Sequence, residues 1–233
     1  MTATHTRPSL AAIVVFLALS IVHLGALVAG AGAVSSWTKP FLMPTLALAV
    51  ILSGGLRFGK RGFLLVTALL FSTLGDIALL GNGDALFIAG LAAFLLAHVV
   101  YISIFAGSTG RGRPRWWSAV FVLWFGALMV ILVPHLDALL VPVVAYGIVI
   151  ATMAIVATRC SSRVALGAAL FLVSDSILAI HLFVPGLALW QPDLLIMFTY
   201  LVGQGLLAWG LVTSWRDLAS AANSPTVSKV AQA

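Results

Sequence analysis

Eight apolar runs, each close to the roughly 20 residues that cross a bilayer as a helix, dominate this sequence and leave little chain for anything else. They fall near 10–30, 40–56, 63–81, 85–106, 116–133, 138–157, 163–183 and 194–214. With 62% of its 233 residues apolar and 8% charged, the chain lacks the polar surface that a water-soluble globule of this size needs. The expected fold is therefore all-α, a polytopic membrane bundle of about eight transmembrane helices forming a single domain over 1–217. The small, polar segment 218–233 is expected to be a disordered tail.

The net charge of +6 does not indicate a nucleic-acid partner, because the basic residues form short clusters between apolar runs rather than one polar face. Arg7, then Arg57, Lys60 and Arg61, then Arg111, Arg113 and Arg115, then Arg159 and Arg163, then Arg216 and Lys229 all fall on one side of the expected membrane. Lys39 alone falls on the other. This loop-to-loop alternation predicts an even number of spans with both termini inside, in a multi-pass protein of the plasma membrane, the inner membrane if the source is bacterial. Cys160 is the single cysteine, so no internal disulfide forms. Ala29-Gly30-Ala31 resembles a signal-peptidase site, but the preceding apolar run is long for a signal peptide and carries His23; it is read as the first helix.

All six acidic residues are Asp, so acid/base chemistry has few carriers. Asp84, Asp137 and Asp193 fall in turns on the outer side, beside Gly and Pro residues. Asp76 and Asp175 fall inside spans three and seven, roughly 8 and 12 Å below the outer boundary at 1.5 Å per residue. An Asp at that depth costs about 2.5–3.5 kcal/mol to insert, so it faces the bundle interior, a partner or water and usually marks function. Two carboxylates at one level do not readily ionise together, which leaves one holding a proton and one a charge, a pair equipped for acid and base work. The competing structural reading makes each Asp a tie between helices through Ser72, Thr73, Ser174 and Ser176.

The two aspartate segments, LGDIALL from Leu74 and VSDSILA from Val173, echo one another. Each precedes a span in which an aromatic residue stands four positions before a polar one, Phe94 with His98 and Tyr200 with Gln204, suggesting two four-helix halves. His98 and Tyr101 share a face, as do Tyr200 and Gln204. His23 and His181 add polar groups at membrane depth. Lys39-Pro40 is read at the outer entrance of span two, with Pro in the first turn and the lysine either snorkelling or meeting a phosphate or buried carboxylate. Carboxylate and imidazole suit zinc or iron, yet no HExxH or comparable ligand spacing occurs. Neither metal nor cofactor is expected. Walker loops, GxSxG elbows and basic faces interleaved with aromatics are absent from the sequence.

Lys39-Pro40, Gly75-Asp76 within LGDIALL, the segment GLAAFLLAHVVY from Gly90 to Tyr101, GAALFLVSD from Gly167 to Asp175, and Tyr200 with Gln204 together resemble the YhhN family. Their order and spacing carry the resemblance, which spans most of the chain. It implies about eight helices and two essential intramembrane aspartates, at the positions of Asp76 and Asp175. The activity it implies is hydrolysis of the vinyl ether bond of lysoplasmalogens to a fatty aldehyde and a glycerophospho-alcohol. Such a bond is cleaved by protonating its β-carbon and adding water to the resulting oxocarbenium ion, which paired carboxylates can perform. The expected catalytic residues are Asp76 and Asp175, with substrate contacts from Lys39, His98, Tyr101, Ser174, Tyr200 and Gln204. The expected partners are a lysophospholipid substrate and membrane lipid, with no nucleic acid and the oligomeric state left open. A proton-coupled carrier and a hydrolase of another ether lipid or lysophospholipid stand as the alternatives.

Overall fold

A computed structural model describes residues 10–108 and 113–222. These form eight α-helices: α1 (Leu10–Val28), α2 (Gly32–Leu52), α3 (Lys60–Ala78), α4 (Asp84–Ser108), α5 (Ala119–Leu132), α6 (Leu140–Ala157), α7 (Ser162–Phe183) and α8 (Pro192–Ala222). Among the described residues there is no strand. Seven of the helical segments are long and apolar enough to cross a membrane, and α1 contributes a shorter apolar stretch, Ala12–Val28. The molecule is a multi-pass membrane protein. Its outward faces carry large apolar side chains that water would not tolerate in such density, with Leu123, Val130 and Val141 each more than 70% exposed. Trp116 lies exposed at one end of the bundle and Trp37 and Trp190 at the other, as expected of an aromatic belt at each membrane surface.

Short connections make sequential helices antiparallel, so the basic clusters gather at one end. Three ties hold that basic end together. Arg61 Nη2 donates to Gly107 O at 2.8 Å, the Arg115 backbone N–H donates to Thr158 Oγ1 at 3.2 Å, and the Arg216 guanidinium donates to Ser53 O. Asp84, Asp137 and Asp193 lie at the opposite end, at or next to the starts of α4, α6 and α8. Arg7, Arg111 and Lys229, assigned to the basic side from sequence, lie outside the described residues. So do residues 223–233, whereas 218–222 continue α8 as helix rather than beginning a tail.

The spans match the apolar runs closely except at α2, at α3 and at the C-terminal end of α8, which runs on to Ala222 rather than ending near 214. Helix α2 begins at Gly32 and passes through both Pro40 and Pro44, so Lys39 lies within the helix and not at its entrance, and Pro40 is not in the first turn. A proline removes one helical hydrogen bond, a cost that membrane helices tolerate when neighbouring groups re-satisfy the backbone. Helix α3 ends at Ala78, which puts Asp76 in its last turn. Gly54 and Gly59, both with positive φ, bracket the single 3-10 turn that reverses the chain between α2 and α3.

Helices α7 and α8 meet backbone to backbone. A Cβ on Gly167 would sit 2.8 Å from Gly203 O, and one on Gly203 would sit 2.9 Å from Gly167 O, the close approach that small residues permit between membrane helices. Ser174 Oγ donates to Ile196 O at 2.9 Å across the same seam. The α3–α4 seam is built differently, with the Phe94 ring lying over Gly75, where a Cβ would come within 2.5 Å of it. Both seams place an aspartate on the interior face.

Candidate active site

At the end away from the basic clusters, a cavity of about 440 Å³ opens between α2, α3, α4, α7 and α8. Asp76 and Asp175 both line it, with Lys39, Ser174 and Tyr200, and Asn82, Asp84, His181 and Asp193 nearer the mouth. The two aspartates predicted at matching depth therefore share one space. Asp76 is almost fully buried. It accepts a hydrogen bond from Tyr200 Oη at 2.8 Å, and Lys39 Nζ lies 4.0 Å from its other oxygen. The α2 extension explains this pairing, since Lys39 within the helix can project toward α3.

Asp175 has a different environment. The Tyr146 hydroxyl of α6 donates to its Oδ2, and among the described residues no cation lies within ion-pair distance of it. Tyr146 was missed from sequence because its helix, LVPVVAYGIVIATMAIVA, has no polar group three or four residues away to draw attention to one face. The available signal was scarcity: the chain has three tyrosines, and each hydroxyl donates to an interior side chain.

Phe94 and Tyr200, which line the cavity, pack edge to face with each other and with Phe171, with centroids 5.2–6.1 Å apart. His98 continues this cluster to the other aspartate partner, lying 4.6 Å from Phe171 and 5.4 Å from Tyr146 by ring centroids. Such contacts each contribute about 0.5–1.5 kcal/mol beyond area burial and fix both tyrosine rings. His98 is fully buried with neither ring nitrogen hydrogen-bonded, and it does not line the cavity. Tyr101 and Gln204 also lie below it. Tyr101 Oη donates to Gln204 Oε1 at 2.6 Å, and Gln204 Nε2 donates to Ser72 Oγ at 3.0 Å. His23 joins α1 to α2 through Thr38, with Nδ1 and Oγ1 2.8 Å apart. Toward the basic end the interior is closed by Leu65, Leu69, Ile104, Phe105, Leu207 and Leu211, all at most 1% exposed. No group of three or more His, Cys, Asp or Glu converges among the described residues.

Fold and site together define a polytopic helical membrane protein in which two aspartates of membrane-spanning helices line one cavity. The chain belongs to the YhhN family, whose profile matches residues 34–211, a range that contains every cavity-lining residue named above and leaves out α1. It is similar to the human protein named lysoplasmalogenase TMEM86B, 31% identical over 173 residues that cover 74% of each chain, and to its mouse counterpart, 30% identical over 175 residues. It is also similar to a lysoplasmalogenase of Mycobacterium tuberculosis, 36% identical over 141 residues, 55% of this chain and 53% of that one. No solved structure matches the chain.

Proposed function

We propose that this protein is a membrane-embedded hydrolase that cleaves the vinyl ether bond of lysoplasmalogen-type lysophospholipids, releasing a fatty aldehyde and a glycerophospho-alcohol. The observation that carries the proposal is the unequal pair: two aspartates on one cavity, one beside an ammonium and one without a cation. The names of its relatives point to the same reaction. Lys39 favours the charged form of Asp76, so the proton is assigned to Asp175.

In this mechanism Asp175 transfers its proton to the β-carbon of the vinyl ether, and the remaining oxocarbenium ion is stabilised by the Asp76 carboxylate. Water adds to the carbon bonded to oxygen and gives its proton to Asp76, forming a hemiacetal. Asp175, now a carboxylate, takes the hemiacetal hydroxyl proton while Asp76 returns its proton to the departing glycerol oxygen. Aldehyde and alcohol leave, and both carboxyl groups regain their starting states. Ser174 and Lys39 line the space the glycerophosphate occupies, with Lys39 able to meet the phosphate. Tyr200 and Tyr146 hold the two carboxylates, while His98, Tyr101 and Gln204 support them from below. The basic end is taken as cytoplasmic, which puts the cavity mouth on the opposite surface. The apolar layer below Gln204 favours this reading over a proton-coupled carrier, which needs a polar path to both surfaces.

Fatty aldehyde release from lysoplasmenyl-ethanolamine by the detergent-purified protein tests the proposal, beside Asp76→Asn and an EDTA-treated sample. Release that survives EDTA and is lost in the variant is expected. Absence of release from folded protein would overturn the assignment of this substrate.

A further inference from the structure

Asp175 is the meeting point of three cavities. Besides the polar one of about 440 Å³, two narrow apolar pockets of about 50 and 40 Å³ touch it. The first lies against Leu91 of α4 and Leu182 and Phe183 of α7. The second runs between α5, α6 and α7 beside Phe125, Leu128 and Ile150. Val143, Tyr146, Asp175 and Ala179 line both apolar pockets, so the two adjoin at these residues and form an apolar line interrupted there. Along α5 the second pocket extends from Leu132 to Trp124, about 12 Å at 1.5 Å per residue. At its far end Trp124 Nε1 donates to Ser176 Oγ at 3.0 Å.

We infer that this apolar line is the site of the substrate's hydrocarbon chain and that Ala179 and Val143, at its junction, set chain-length selectivity. The inference rests on the ether-lipid reading and deepens it. The polarity of the spaces orders the substrate along them. The glycerophosphate lies in the polar cavity with Asp76 and Lys39, and the chain passes Asp175 into the apolar pockets. That order puts the β-carbon, the first chain carbon beyond the one bonded to oxygen, on the side of Asp175. The departing glycerol oxygen then lies on the side of Asp76. The assignment of acid to Asp175, made above from the position of Lys39, thus also follows from where apolar space lies.

Two measurements test the inference. In the first, turnover of hexadecenyl and octenyl lysoplasmenyl-ethanolamine is compared in the wild type and in Ala179→Leu. The ratio of long-chain to short-chain kcat/KM should fall roughly tenfold or more when the junction is filled, in the range by which pockets discriminate a few methylenes. An unchanged ratio would overturn the inference. In the second, a saturated 1-O-alkyl lysophospholipid with a diazirine at the chain terminus is photocrosslinked to the wild-type protein. Label should map to α5 or to the facing part of α6, and label confined to outward faces such as those of α1 would overturn the inference. The photolabel needs neither turnover nor a variant. It remains decisive if Ala179→Leu fails to fold, and it separates the two ideas. Label in α5 without aldehyde release from any vinyl ether would leave the chain site standing and remove the proposed reaction. Aldehyde release with label elsewhere would do the reverse.

Discussion

The first four helices and the last four each set one aspartate on the interior face of their third helix, yet the two halves treat that aspartate differently. Asp76, in the last turn of α3, meets a lysine from the preceding helix and a tyrosine from the far half. Asp175, eight residues before the end of α7, meets a tyrosine from its own preceding helix, α6, and borders apolar space. In both halves the helix before the aspartate helix supplies a contact, Lys39 from α2 in one and Tyr146 from α6 in the other. In the proposed cycle the substitution of a phenol for an ammonium at that place separates an acid from a base, so that identical side chains in one cavity take opposite roles from their neighbours.

Removing either carboxylate should have the largest effect. Asp76→Asn and Asp175→Asn are each expected to lower turnover roughly a thousandfold, the middle of the range for positioned acids and bases, in protein that still purifies as a folded species. Deuterium separates the roles. In D2O, Asp76→Asn keeps the group that protonates carbon but stalls before water is activated, so reversal should wash deuterium into the β-position of recovered substrate. Asp175→Asn should give no such exchange. Exchange in Asp175→Asn and none in Asp76→Asn would exchange the acid and the base between the halves.

The contrast between halves was only half legible in the sequence. Eight apolar runs located the helices, and the scarcity of acidic residues singled out Asp76 and Asp175, because a carboxylate in an apolar run is conspicuous whatever surrounds it. Lys39 is equally conspicuous, but Pro40 behind it resembles a first-turn proline and so points to a helix entrance. The α2 helix instead continues through both prolines, and that moves the lysine to a place from which it reaches Asp76. Tyr146 went unread for a complementary reason. A tyrosine in a bundle helix most often packs with its hydroxyl satisfied locally, and only the tertiary approach of α6 to α7 gives this one a carboxylate. Membrane burial made charged groups visible from sequence, whereas hydroxyl partners became visible only once helices were adjacent.

Lys39 gives an intermediate test of the comparison. Lys39→Met should lower turnover roughly ten- to a hundredfold, less than loss of the carboxylate it serves, and Lys39→Arg should retain more because the charge persists. Melting temperature in detergent should fall with Lys39→Met as well, since it leaves Asp76 buried without its cation. If Lys39→Met were as active as the wild type, the ammonium would not be what distinguishes the two halves.

The smallest effects come from the two tyrosine hydroxyls, and their order is informative. Tyr200 donates to Asp76, which in the proposed cycle is charged before substrate reacts, so its hydrogen bond stabilises ground state and transition state alike. Tyr146 donates to Asp175, which gains charge only as the proton leaves for carbon. A donor aimed at charge that develops during the reaction accelerates it, whereas one serving charge already present does not. Tyr146→Phe should therefore lower kcat about tenfold, as loss of a hydrogen bond to a charged group of about 1.5–3 kcal/mol allows. Tyr200→Phe should change kcat by no more than about threefold and appear mainly as lost stability of about 1.5–3 kcal/mol, the range for a hydrogen bond to a charged group. In both variants the ring packing around Phe171 and His98 is retained, so the difference isolates the hydroxyl. Should Tyr200→Phe prove the slower enzyme, charge would be developing on Asp76 instead, and the cation beside it would be stabilising the conjugate base of the acid.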